Sequence, residues 1–263
     1  MPLPVNRPGA NVLVFPDKDA ASRAAADHIA QAMRAALKER GRVCLGLSTG
    51  ATPETVYARL VSMHKSGEIS FAQAITFNLD EYYPISPLDP HSYRSYMHRH
   101  LFAHVDIAAN RTHLLDGTVP EAAASEHAAQ FDGWIVEAGG IDLQLLGIGR
   151  NGHIGFNEPE TVPLEKALAL PTRLVELHPV TRAAAAHEFG TESKVPRRAF
   201  TMGVAPILAA RSILMLAFGK AKADVVRRAL EGPVTPELPA SLLLKVLSKV
   251  TWLLDESAAS GLA

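Results

Sequence analysis

The sequence has only one cysteine, Cys44, among its 263 residues. A disulfide within the chain is therefore excluded, and nothing calls for an oxidising compartment. Because Cys44 lies in the apolar run 43–45, we expect a small buried hydrophobic residue rather than a reactive thiol. No apolar run is long enough to span a bilayer, and residues 1–10 lack the basic and apolar regions of a signal peptide. These absences predict a cytoplasmic protein.

The chain also lacks an excess of charge of either sign. It has 26 Lys and Arg against 27 Asp and Glu, which gives a formal net charge of −1, and no sustained basic run. This balance argues against nucleic acid as the main partner and against binding to an anionic membrane. We expect a small soluble molecule as the partner. The sequence leaves open whether the protein is a monomer or a homo-oligomer.

Signatures of nucleotide and metal binding are missing too. Neither a Walker loop nor a dinucleotide fingerprint is present. Residues 91–104 are rich in histidine, with His100 and His104 four positions apart, but no Glu completes an H-E-x-x-H frame and no Cys is near. We expect these histidines to be surface or helix-packing residues, and predict no metal site.

Short apolar runs alternate with helical patterns along the chain. Runs that are apolar on both faces and separated by helices predict a mostly parallel sheet covered on both sides. The predicted strands are 11–15, 43–47, 75–79, 141–146, 212–218 and 250–254; the predicted helices run from Asp17 or Asp19 to about Arg40, then over 53–64, 122–137 and 221–231. We predict a single α/β domain over residues 1–263, in which segment 160–198 is an excursion or a lid.

A loop of small residues follows the second predicted strand. Thr52 can cap the next helix with Pro53 at its first position, and such a helix start offers free N–H groups and a positive dipole end. An ordinary capped turn is equally compatible with this segment alone. Lys222 follows another strand, should lie at the same sheet edge, and would supply a cation. The predicted phosphate-binding loop consists of Ser48, Thr49, Gly50, Ala51 and Thr52.

Two further segments carry acid and base groups. Asp80 ends the alternation of Ile75, Phe77 and Leu79, where a base would face the crevice, whereas Glu81 points the other way and is predicted to be structural. Residues 147–159 read GIGRNGHIGFNEP, with four glycines and with His153 and Glu158 near enough to share a pocket wall. A solvated turn is the alternative, although loops after parallel strands carry most α/β chemistry.

Taken together, these motifs resemble the glucosamine-6-phosphate deaminase family, also called glucosamine-6-phosphate isomerase. The resemblance runs from about residue 12 to residue 255 and is strongest in segments 46–53, 77–82, 92–97 and 149–159. It implies a Rossmann-like, doubly wound α/β sheet with helices on both faces and no metal or organic cofactor. The implied reaction converts glucosamine 6-phosphate and water to fructose 6-phosphate and ammonia in amino-sugar catabolism.

The resemblance also implies roles for individual residues. Asp80 would move a proton between C2 and C1, and His153 would open the pyranose ring. Glu158 and Asn151 would orient and tune that imidazole. Loop 48–52 and Lys222 would hold the 6-phosphate.

Some positions depart from the family pattern. Many relatives carry Asp at the position of Asn151, and a second glycine is common at Ala51. The usual arginine after Arg182 is missing, with His187 in its approximate place, so we expect weaker phosphate binding that depends on His187. Residues 255–263 lack the extension of allosteric, hexameric relatives, so we do not expect activation by an N-acetyl sugar phosphate.

Three alternatives remain open. A 6-phosphogluconolactonase has the same fold, but its pattern is closer to D-G-H-T than the N-G-H-I found here. The substrate could also be another hexosamine 6-phosphate. A sensor domain could bind a sugar phosphate without turning it over, although the presence of Asp80, His153 and Glu158 favours catalysis.

Overall fold

The computed structural model describes residues 3–4 and 9–262. The predicted lack of a signal peptide concerns residues 1–10, of which 1, 2 and 5–8 lie outside the described residues. The described residues form the strands β1 (Leu3–Pro4), β2 (Asn11–Phe15), β3 (Val43–Leu47), β4 (Ala74–Asn78), β5 (Asp80–Tyr83), β6 (Thr112–His113), β7 (Leu143–Gly147), β8 (Arg173–Glu176), β9 (Arg198–Thr201), β10 (Ser212–Ala217) and β11 (Val250–Asp255). The α-helices are α1 (Lys18–Arg40), α2 (Glu54–Lys65), α3 (Tyr93–His100), α4 (Ala124–Glu137), α5 (Leu164–Leu168), α6 (Pro179–Phe189), α7 (Val204–Ala209), α8 (Ala223–Glu231) and α9 (Glu256–Ala259).

The main sheet has eight strands in the order β1-β2-β11-β10-β7-β3-β4-β6. Strand β1 pairs antiparallel with β2, and every other pairing in this sheet is parallel. From β3 the chain moves outward to β4 and β6, then returns to the other side of β3 to form β7. This reversal is a topological switch point, where α/β proteins place their ligands.

Both faces of the sheet are apolar, as the sequence pattern predicts. Along β10, Ile213 and Met215 pack with α4, α7 and α8, whereas Leu214 and Leu216 pack with α1 and α2 on the other face. Cys44 is buried on the first of these faces, as expected. The predicted Rossmann-like fold with helices on both faces is therefore confirmed. None of the described helices is long and apolar enough to span a bilayer.

A second, smaller sheet was not predicted. It contains three antiparallel strands in the order β5-β9-β8. Strand β5 starts at Asp80, directly beyond the end of β4, and β8 lies within segment 160–198 together with α5 and α6. Tyr82, Phe156 and Leu177 belong to an apolar cluster beside this sheet. The small sheet therefore connects segment 160–198 to the edge of the main sheet where the predicted site lies.

Candidate active site

A cleft of about 370 Å³ opens at the carboxyl ends of β3, β4, β7 and β10. It is lined by every residue of the predicted phosphate loop, 48–52, and by Asp80, His153, His187 and Lys222. Asn151 and Glu158 do not line the cleft themselves but are hydrogen-bonded to each other behind His153. The fold therefore brings together residues from five separate parts of the chain.

The start of α2 differs from the prediction. The capping residue is Pro53, with φ −82° and ψ −5°, and the helix begins at Glu54. Thr52 was predicted to cap this helix, but residues 51–53 form a turn ahead of it and no side chain of the described residues caps the helix. The free N–H groups of the first turn therefore have no competing side-chain acceptor, which favours binding of an anion.

Three carbonyl oxygens of the phosphate loop are bound to donors outside it. The hydroxyl of Tyr57 donates to the carbonyl of Ser48, and the hydroxyl of Tyr96 donates to the carbonyl of Gly50 at 2.8 Å. Lys18 Nζ donates to the carbonyl of Ala51 at 3.1 Å. With these acceptors occupied, the loop keeps its N–H groups for a ligand.

Lys222 reaches the same cleft from the end of β10. Its Nζ atom donates to the carbonyl of Ile148 at 2.7 Å, which leaves further N–H donors for a ligand. Burial, followed by the positive charge of Arg150, lowers the pKa of Lys222 to about 8. The negative charge of an anion in the cleft would raise this pKa again.

Asp80 lies at the floor of the cleft and is 6% exposed. Its Oδ1 atom has no hydrogen-bond partner among the described residues. Burial, followed by the charge of Glu81, raises the pKa of Asp80 to about 8, while the hydroxyl of Thr49 opposes the rise. A buried carboxylate with one oxygen left without a donor is a poor structural residue and a strong base, because little stabilises its charge.

The neighbouring carboxylate, Glu81, is surrounded by hydrogen-bond donors, in contrast to Asp80. It accepts hydrogen bonds from the N–H groups of Tyr93 at 2.9 Å and Arg94 at 3.0 Å in the first turn of α3, and from Tyr82 at 2.9 Å. Burial raises the pKa of Glu81 to about 7, and these three donors limit the rise. Glu81 therefore caps α3, which agrees with the structural role predicted for it.

His153 is held on one side by a carboxylate and a hydroxyl. Its Nδ1 atom lies 3.2 Å from Glu158 Oε2 and 3.2 Å from Thr181 Oγ1. Asn151 Nδ2 donates to the same Glu158 oxygen at 2.8 Å, and the N–H of His178 reaches the other oxygen at 3.3 Å. A carboxylate beside Nδ1 favours the tautomer with hydrogen on Nδ1 and a free Nε2.

Glu158 stays ionised in this network. Burial alone would raise the pKa of Glu158, but hydrogen bonding and charge from His153, with smaller contributions from Thr181 and Asn151, bring it below its usual value. Within the described part of the chain, His153 Nε2 has no hydrogen-bond partner. A Cβ on Gly149 would stand 2.3 Å from this atom, so glycine is required there for the ring to take its place. The free nitrogen is thus available to a ligand in the cleft.

His187 lines the cleft but differs from the other candidates. Its side chain is 76% exposed, its Nδ1 atom lies 2.8 Å from the carbonyl of Ala184 in its own helix, and its Nε2 atom lies 3.8 Å from Glu188. The structure therefore places it at the mouth of the cleft, on α6.

Two cleft residues were missed by the sequence reasoning. Thr181 touches the imidazole from α6, and Arg150 lines the cleft beside the His153 loop. Arg150 lies within a motif that was recognised, whereas no local pattern singles out Thr181. Across residues 3–4 and 9–262, no group of three or more His, Cys, Asp and Glu side chains is arranged to hold a metal ion.

Comparisons with known proteins agree with this geometry. The profile of the family described as glucosamine-6-phosphate isomerases/6-phosphogluconolactonase matches residues 16–252. A glucosamine-6-phosphate deaminase of Rhodopirellula baltica is 47% identical over 255 residues, covering 96% of this chain and 97% of that protein. One of Bacillus velezensis is 44% identical over 251 residues, covering 95% and 99%.

Solved structures give the same result. The structure of a monomeric glucosamine-6-phosphate deaminase matches with a TM-score of 0.88 and 39% identity, over 95% of this chain and 99% of that one. A 6-phosphogluconolactonase from Trypanosoma brucei matches with a TM-score of 0.78 at 20% identity, over 100% of both chains. The second likeness shows a shared fold.

Proposed function

This chain belongs to the family of glucosamine-6-phosphate isomerases and 6-phosphogluconolactonases, and we propose that it is the enzyme that converts glucosamine 6-phosphate and water to fructose 6-phosphate and ammonia. Two relatives at 44% and 47% identity are glucosamine-6-phosphate deaminases, and the similarity extends over nearly their whole length. The observation that carries the proposal is that one cleft holds a buried carboxylate with an unpartnered oxygen, an oriented imidazole and a loop suited to bind an anion.

Ring opening is assigned to His153. The free Nε2 atom takes the proton of the C1 hydroxyl and returns a proton to the ring oxygen, so the C1–O5 bond breaks and C1 becomes an aldehyde. Glu158 and Asn151 hold the imidazole in the required tautomer, because the carboxylate accepts from Nδ1 and Asn151 fixes the carboxylate. Thr181 adds a contact to Nδ1 from α6.

Isomerisation is assigned to Asp80. Its carboxylate removes the proton from C2 of the open chain while O1 is protonated, which gives an enol-amine, and the same proton is then delivered to C1. The product carries an imine at C2, and water adds to this imine and displaces ammonia, leaving the ketone. Burial suits Asp80 for this step, because a carboxylate with a raised pKa is a stronger base than one in water.

Substrate position is assigned to the phosphate loop. The N–H groups at the start of α2 and the ammonium of Lys222 share the charge of the 6-phosphate, with His187 at the mouth of the cleft as a further, weaker partner. We also propose that residues 1–263 act as one cytoplasmic catalytic domain without nucleic acid, with segment 160–198 as a lid over the cleft.

Ammonia release separates this function from its alternatives. The purified chain is incubated with glucosamine 6-phosphate, galactosamine 6-phosphate and 6-phosphogluconolactone, with and without a chelator. We expect ammonia and fructose 6-phosphate from the first substrate at a rate that the chelator does not change. Preferred turnover of the lactone would make the chain a hydrolase, and binding without turnover of any substrate would make it a sensor.

A further inference from the structure

We propose that Arg150 is a phosphate-binding residue of this cleft, and that its guanidinium grips the 6-phosphate together with Lys222. This inference rests on the proposed function and adds a residue to the phosphate site that motif matching did not assign. Both residues are exposed, but the guanidinium of Arg150 gives the sugar phosphate a two-point contact that the imidazole of His187 cannot provide.

The first argument is an uncompensated pair of positive charges. Arg150 and Lys222 both line the cleft, close enough for the charge of Arg150 to act on the Lys222 ammonium. Among the residues that the structure describes, neither has an Asp or Glu oxygen within 4.0 Å, whereas Arg173 is paired with Glu160 and Arg198 with Glu121. Two neighbouring cations repel each other when no counter-ion is present. A bound anion would remove this repulsion, so the pair favours anion binding.

The second argument is the free guanidinium. No hydrogen bond from the Arg150 side chain to another described residue exists, so its N–H donors face solvent and cleft. Arg182, which comes from the helix where the family arginine was expected, is instead bound to the carbonyl of Glu192 at 3.0 Å and does not line the cleft. Of these two arginines, Arg150 is the one placed to meet a ligand.

The third argument is the loop that carries it. The N–H of Gly152 bonds to the carbonyl of Gly149 at 3.1 Å, and the N–H of Gly149 bonds to the carbonyl of His153 at 2.9 Å. Arg150 therefore stands on a tight turn whose base fixes His153. This turn fixes the backbone positions of Arg150 and His153 relative to each other. The site therefore favours a ligand whose phosphate lies at a suitable distance from its ring oxygen.

A guanidinium suits this position for a chemical reason. Its planar fork binds two phosphate oxygens at once and stays charged at all working pH values, whereas a lysine binds as a point charge. Because the Lys222 ammonium has a lowered pKa, part of its charge is lost in weakly alkaline solution. Arg150 keeps one permanent charge in the site.

The test compares Arg150→Met, Arg150→Lys and Arg150→Gln with Lys220→Met, a matched control on the same turn as Lys222 that does not line the cleft. Dissociation constants are measured by calorimetry for inorganic phosphate and fructose 6-phosphate, and kcat and KM for glucosamine 6-phosphate. We expect Arg150→Met and Arg150→Gln to weaken phosphate and product binding about three- to tenfold with kcat within about twofold, since phosphate holding is shared by ground and transition states and Arg150 is exposed. Arg150→Lys should recover part of the loss, and Lys220→Met should match the original protein.

Each other outcome has a defined meaning. Phosphate binding within twofold of the original in Arg150→Met and Arg150→Gln would overturn the proposal, as would a lower kcat with unchanged KM. If the original protein released no ammonia while Arg150→Met still weakened phosphate binding, the proposed reaction would fail and the phosphate site would stand. Turnover of unphosphorylated glucosamine should be the same in Arg150→Met and the original, because that substrate lacks the group that Arg150 holds.

Discussion

The two walls of the cleft are built differently. The sheet wall carries Asp80 just after β4, and His153 and Lys222 in the segments that follow β7 and β10, where each side chain is buried or partly buried. The opposite wall is α6, of which only Thr181 is buried, and from which His187 projects with 76% of its side chain exposed.

This difference in burial suggests different roles: the sheet wall holds the catalytic groups, and α6 closes over them. On the sheet wall, loop carbonyls and carboxylates are fixed by hydrogen bonds, as the carbonyl of Gly50 is by Tyr96 and Glu158 is by Asn151. Such groups change position little during a reaction, which is what general acid and base catalysis requires. Helix α6 buries only Thr181, so we expect it to open for a ligand at small free-energy cost. We therefore expect large effects from changes in the sheet wall and small ones from changes in α6.

The largest effect is expected for Asp80→Asn. Turnover should fall by at least about a thousandfold, because the isostere keeps the shape and removes the base. Stability should change in the opposite direction. The pKa of Asp80 is raised by burial from 3.8 to about 8, so the folded state binds more protons than the unfolded one and stability declines as pH rises through that window.

The stability half of this prediction is measured by thermal unfolding at pH 5 and pH 8.5. Asp80→Asn should gain on the order of 2 to 4 kcal/mol relative to the original protein at the higher pH, with a smaller gain at the lower one. Asp224→Asn, on an exposed face of α8, is the control and should change neither quantity. A less stable Asp80→Asn protein at pH 8.5 would show that Asp80 is a structural residue.

How far the sequence predicts such a site depends on distance along the chain. Strands 11–15 and 43–47 were predicted to the residue, and His153 with Glu158 was paired correctly because the two lie on one loop. The small sheet was missed, since β8 and β9 have four residues each and β9 pairs with β5, more than 100 positions earlier. Thr181 was missed for the same reason: no local pattern tells which residue of a distant helix reaches the imidazole.

The next prediction compares Glu158 and Thr181, the two residues that contact His153 Nδ1. Glu158 and Thr181 both lie 3.2 Å from His153 Nδ1, the first on the sheet wall and the second on α6. Glu158→Gln should lower kcat by about thirty- to a hundredfold, because it removes the charge that stabilises the protonated ring. Thr181→Val should lower it by about threefold at most, since Glu158 still fixes the tautomer. Steady-state kinetics with the cyclic substrate measure both; equal losses would mean that α6 belongs to the catalytic machinery.

A pH profile tests the sheet wall as a unit. With Asp80 titrating near pH 8 from the acid side and Lys222 near pH 8 from the basic side, kcat/KM should follow a narrow bell centred close to pH 8. Each limb should change about tenfold per pH unit. Lys222→Arg should lose the basic limb and keep the acid one, because a guanidinium stays charged. Comparing Lys222→Arg with the original protein at each pH cancels the effect of ionisation of the substrate amine. An unchanged basic limb in Lys222→Arg would show that Lys222 does not bind the phosphate.

The smallest effect is expected at His187, on the exposed wall. An imidazole offers one or two donors and carries charge only when protonated, whereas the guanidinium of His187→Arg is always charged and offers a fork. Because the position is exposed, its contribution to phosphate binding should follow that of a surface ion pair, about 0 to 1 kcal/mol, or at most about fivefold in KM. His187→Arg should therefore lower KM for glucosamine 6-phosphate two- to fivefold with kcat unchanged, when both proteins are assayed from pH 6 to pH 8.5. An unchanged KM over this range would exclude His187 from phosphate binding and leave Thr181 as the part of α6 that touches the catalytic groups.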